Sequence, residues 1–120
     1  ETANKINLAS APTPSAPMFI GQGIGGWLEG TSGEAAPDLG PGDGVMLAGD
    51  VRSLARQYCA DGAKVLYRQY ELSHLSTLPF WAQEAIAWLD RRFKGEAVPS
   101  NCGSIAPGND LSPEVYRPAA

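Results

Sequence analysis

Lys64-Val-Leu-Tyr-Arg-Gln-Tyr70, followed by Glu71-Leu-Ser-His74, is the stretch that decides the fold. Val65, Tyr67 and Gln69 alternate with Leu66, Arg68 and Tyr70, the period-two pattern of a half-buried strand spanning Ala63 to Glu71. On its upstream side the period changes. Val51, Leu54, Ala55 and Tyr58 recur at helical spacing, with Asp50 placed to cap the helix and Gly62 suited to its C-terminal turn. On its downstream side, Ser76 or Thr77 can cap a second, longer helix with Pro79 in the first turn and Gly95 at its end. Trp81, Ala85, Trp88 and Leu89 share a face of that helix, and the two tryptophans, one heptad apart, read as packing against a sheet. Before the first helix, Pro17-Met-Phe-Ile20 forms a short apolar strand that runs into Gly21. Strand, helix, strand, helix predicts an α/β fold: two parallel strands joined by a right-handed crossover and flanked by helices.

Two parallel strands make a poor sheet on their own, because a parallel sheet is normally covered on both faces and extended by neighbours. The pattern therefore predicts a further, upstream part. Within the chain, residues 1–16 are small, polar and proline-spotted and read as an extended lead-in. Residues 17–102 hold the α/β portion. Inside it, 21–49 is a long glycine-rich insertion with Pro37 and Pro41, unable to hold a long helix. Residues 103–120 read as a flexible tail.

The 120 residues make one domain of ordinary size, and 43% hydrophobic residues supply material for a core. The formal charge is −4 and the nine Lys and Arg are scattered, so nothing resembles the basic stripe that nucleic acid requires. No apolar run reaches the roughly 20 residues of a membrane span, and the first residues lack a signal-peptide pattern. Cys59 and Cys102, 43 positions apart, read as a disulfide in an oxidising compartment in preference to two buried thiols. Neither a metal nor a cofactor is expected, since Cys59, His74 and Cys102 are single ligands without a close partner.

His74 is the only histidine, and it lies between the second strand and the second helix. With an unperturbed pKa of about 6.5, it is the side chain suited to trading protons near neutrality. Asp43 follows the first strand, so a parallel pairing brings an Asp loop and a His loop to the same carboxyl edge, where sites of open α/β sheets assemble. A carboxylate there can hold one imidazole nitrogen and leave the other free as a base. Glu29, Asp38 and Asp50 are competing carboxylates. Gly21-Gln-Gly-Ile-Gly-Gly26 matches the dinucleotide fingerprint, but no helix follows its third glycine, so the match reads as a loop or hinge.

Taken together, Asp43-Gly-Val-Met46, Leu54, Tyr58-Cys-Ala-Asp-Gly-Ala-Lys-Val65, Ser73-His74, Ala87-Trp-Leu-Asp-Arg-Arg-Phe-Lys-Gly95 and Cys102 resemble the C-terminal part of the secretory lipase family of α/β-hydrolases. The resemblance covers residues 17 to 102. It implies that Asp43 orients the imidazole, that His74 is the general base and acid, and that Cys59 and Cys102 are bridged. It also implies a secreted carboxylic-ester hydrolase acting on acyl esters or lipids. No serine has the G-x-S-x-G surroundings of a nucleophile elbow, and in this superfamily the order is Ser, acid, His. The nucleophile and oxyanion hole are therefore expected upstream of residue 1, and this portion alone is expected to be inactive. One departure stands out: Asp43 lies 20 positions beyond Gly23, so the glycine-rich stretch is an insertion relative to the family. Two other readings remain: a different α/β-hydrolase, such as a peptidase or acyltransferase, and a non-enzymatic secreted binding module stapled by one disulfide.

Overall fold

A computed structural model describes residues 14–26, 34–36 and 39–110. The elements run β1 (Met18–Gly23), β2 (Glu34–Ala36), β3 (Gly40–Pro41), α1 (Ala48–Ala60), β4 (Val65–Tyr70) and α2 (His74–Phe93), with a 3-10 turn at Cys102–Ser104. β1 and β4 pair in parallel from Met18 opposite Val65 to Gly23 opposite Tyr70. β2 and β3 form a separate two-stranded antiparallel pair within the glycine-rich insertion. The strand, helix, strand, helix order and the parallel pairing are those read from the sequence.

Period-two alternation divides the sheet between the two helices. Val65 and Tyr67 point to the α1 side, where they form the core with Val51, Ala55 and Ile105, and Met18 and Ile20 pack against it. Phe19 points the other way, and its ring centroid lies 6.0 Å from that of Trp81 and 6.2 Å from that of Trp88 on α2. The two tryptophans thus pack on the strand as their heptad spacing predicts. Gly21 follows Phe19 on that face. A methyl group there would lie 2.2 Å from the Trp81 ring, so the helix comes this close only because the strand carries no side chain at that point.

Both helices begin earlier than the sequence indicates. α1 starts at Ala48 with Leu47 as N-cap, and Asp50 falls in its first turn. There the carboxylate faces the positive end of the helix and accepts from Asn109 Nδ2 at 3.1 Å instead of capping. α2 starts at His74, capped by Ser73, whose Oγ accepts from the Ser76 amide. Pro79 therefore lies inside the helix and not in its first turn. The carbonyl it leaves without an intrahelical donor is that of Leu75, a residue on the solvent side, where water can serve it. Gly62 and Gly95 end the helices in the left-handed conformation, at the predicted positions.

The packed chain also continues past Cys102, through part of the stretch expected to be a flexible tail. Ile105 is buried in the core, the Asn109 amide donates to Gly49 O at 3.0 Å, and Ser53 Oγ donates to Asn109 O. The Cys59–Cys102 disulfide, with Cα atoms 5.7 Å apart, fastens the start of this strap to the end of α1. Upstream of it, Asn101 closes the outer edge of β4. Its amide donates to Val65 O, its Oδ1 accepts from Tyr67 N and its Nδ2 donates to Tyr67 O. A single asparagine thus stands in for a neighbouring strand. The outer edge of β1 has no such cover among the described residues. The lead-in over residues 1–13 and the end of the tail over 111–120 lie outside the described residues.

Candidate active site

The parallel pairing sets the carboxyl ends of β1 and β4 side by side, so the loop that carries Asp43 and the turn that carries His74 meet there. Their backbones join directly: the His74 amide donates to Asp43 O at 2.9 Å. Their side chains join as well, with His74 Nδ1 2.7 Å from Asp43 Oδ2. Asp43 is 3% exposed, whereas the His74 side chain is 47% exposed, so the carboxylate is enclosed and the imidazole reaches solvent.

The second carboxylate oxygen is fixed by the loop itself. Oδ1 accepts from the amides of Val45 at 3.0 Å and Met46 at 2.7 Å, an aspartate turn. Gly44, at its bend, has φ of 92°, a conformation that glycine adopts without strain. The Asp43 amide closes the turn on Met46 O at 3.1 Å. Burial raises the carboxyl pKa, but the hydrogen bonds from Met46, His74 and Val45 and the attraction of the His74 charge outweigh it, so Asp43 ends below its ordinary value of 3.8. It is thus held as a carboxylate, fit to orient an imidazole and to stabilise its protonated form.

With Nδ1 engaged, the proton-accepting capacity of His74 is left at Nε2, to which nothing bonds among the described residues. A concavity of about 390 Å³ opens beside the pair, with Phe19, Ile20, Leu75, Leu78 and Trp81 as its apolar walls. A base with one nitrogen held by a carboxylate, in the lining of an apolar hollow, is suited to deprotonating a hydroxyl brought to it. Among the described residues no group of three or more His, Cys, Asp or Glu is arranged to hold a metal ion.

Of the competing acids, Asp50 is turned toward Asn109 and away from the histidine, while Glu29 and Asp38 lie outside the described residues. In the glycine motif, Gly21 and Gly23 are strand residues packed under α2 and the Asp43 loop, and the segment that follows Gly26 lies outside the described residues. Sequence reading missed Gln22, buried at the end of β1, whose Nε2 donates to Gly23 O at 2.8 Å and to Met46 O at 3.4 Å and so braces the Asp43 turn. Its only signal was a long polar side chain at the buried end of a strand. No family model, curated protein or solved structure matches the chain.

Proposed function

We propose that this chain supplies the acid and base of a secreted serine hydrolase of the α/β-hydrolase type, a lipase or carboxylesterase that cleaves acyl esters through an acyl-enzyme. The observation that carries the reading is the buried Asp43 carboxylate 2.7 Å from His74 Nδ1, at the joint carboxyl end of two parallel strands. In the first step His74 Nε2 takes the proton of a serine hydroxyl as its oxygen attacks the ester carbonyl carbon, and Asp43 stabilises the imidazolium. As the intermediate collapses, His74 returns the proton to the leaving alcohol, and the same exchange with water then releases the acid.

The serine belongs, in this reading, to a part of the polypeptide preceding residue 1. Two features of the surface support it. The N–H and C=O groups of Phe19 and Gly21 point away from β4, as those of Met18 and Ile24 point toward it, so that among the described residues the β1 edge is open to a further strand. Leu75, Leu78, Ile86, Leu89 and Phe93 form an exposed apolar stripe along α2, the surface of a helix that further chain would cover. The disulfide supports an oxidising, extracellular setting.

The test uses the complete polypeptide that contains this chain. It should hydrolyse a p-nitrophenyl ester and be labelled by a fluorophosphonate, and His74→Ala should lower kcat by about 10³-fold or more. The 120-residue chain alone should do neither. Ester hydrolysis unaffected by His74→Ala would sink the reading and favour a binding role, whereas cleavage of peptides or transfer to an acceptor alcohol would reassign the same acid and base to a peptidase or acyltransferase.

A further inference from the structure

We propose that Gly23 is a positioning residue of this acid–base pair: only a residue without a side chain at the end of β1 lets the Asp43 loop close on the His74 turn. The inference rests on the reading of Asp43 and His74 as acid and base. Three groups crowd the place where a β-carbon would stand. A methyl group on Gly23 would lie 2.4 Å from Leu72 O, 2.8 Å from Thr77 Oγ1 and 2.9 Å from Asp43 Cβ. Each belongs to a different part of the site: the turn leading to His74, the first turns of α2, and the aspartate itself.

Two of these neighbours cannot yield by rotating a side chain. The Leu72 carbonyl is backbone, and it is tied to the strand end by the Gly25 amide at 2.9 Å. Asp43 Cβ is the atom from which the carboxylate hangs, so half an ångström of retreat to ordinary van der Waals distance moves both oxygens. The retreat draws Oδ2 from His74 Nδ1 and strains the backbone bond between His74 N and Asp43 O, since both bonds join the same two residues. A hydrogen bond of 2.7 Å has little such movement to give before its geometry is poor. Gly21, two residues earlier in the same strand, has its missing methyl group against the Trp81 ring, a side chain and not the backbone or the carboxylate stem.

The experiment is proton NMR of the oxidised 120-residue chain, following the downfield resonance of the proton shared by His74 Nδ1 and Asp43, with a carbon-detected titration of the Asp43 carboxyl. The wild type should show the resonance. Gly23→Ala should lose it, and its Asp43 should titrate upward, toward the ordinary carboxylate range, while the amide signals of α1 and the core stay in place. Gly23→Ala/Thr77→Ala, which removes one wall of the crowded space, should regain it in part; this double variant also serves as the reading if Gly23→Ala alone does not fold. A Gly23→Ala chain that keeps the resonance overturns the role of Gly23 and leaves the acid–base pair intact. So does a chain that unfolds in the single and double variants alike, because a glycine needed only for folding does that. A wild type without the resonance counts against the Asp43–His74 pair itself and takes the proposal with it.

Discussion

At the scale of single residues, Asp43 ties pH to stability. Its carboxyl pKa is lowered in the folded chain, so the folded state binds fewer protons than the unfolded one in the acid range. The stabilisation is therefore present in full above the ordinary value of 3.8 and is lost as the pH falls through the lower folded value. Asp43→Asn should destabilise the chain at neutral pH, and the difference from wild type should shrink toward zero in acid; urea unfolding at a series of pH values checks this, and a pH-independent difference would contradict it. His74 and Asp43 were legible in the sequence because each follows a readable strand and parallel pairing brings strand ends together. Gly23 and Gln22 were not, because what they do depends on neighbours from three other segments. The glycines spelled a nucleotide motif in one dimension while serving close packing in three.

At the scale of elements, helical and strand periods located α1, β4 and α2, yet the starts of both helices were misplaced for a shared reason. Asp50 and Ser76 are good caps by residue type, but a cap is chosen by where the preceding loop releases the chain. The aspartate turn at Asp43 delivers it at Leu47, and the His74 bond to Asp43 O delivers it at Ser73. Nothing in the sequence marked Asn101 as the cover of an edge strand, since an asparagine in a proline-flanked loop reads as a turn. Its side chain nonetheless makes both bonds that a paired strand would make at Tyr67. Asn101→Ala leaves that N–H and C=O unpaired and should cost about 2 kcal/mol. The Tyr67 amide should then exchange with solvent faster than those of Leu66 and Arg68, and an unchanged exchange rate would show the edge to be protected by other means.

At the scale of the whole molecule, the described core is small for a domain of this length. Among the described residues Val65 is the only large side chain that is fully buried, and the apolar stripe of α2 faces outward, with Phe93 88% exposed. Apolar burial is the main favourable term in folding, and here much of it is left unspent, so the covalent link carries a larger share of the stability. The disulfide closes a loop of 43 positions, which in the chain-entropy model removes about 4 kcal/mol of freedom from the unfolded state. It also acts where the fold has least else: the segment from Asn101 to Ile105 covers the β4 edge and one side of the core, and it meets them through Cys102 and a few hydrogen bonds. Cys59→Ala/Cys102→Ala should therefore lower the unfolding free energy by about 4 kcal/mol, a large fraction of what a domain of this kind holds. The loss should appear first in the strap, as early exchange of the Asn101, Ser104 and Asn109 amides, before the parallel pair itself opens. Denaturant unfolding of the double variant beside the oxidised wild type measures both effects. A loss below about 1 kcal/mol with the strap still protected would mean that hydrogen bonds to Val65, Tyr67 and Gly49 hold the segment without the link, and that the two-stranded sheet is stable in its own right.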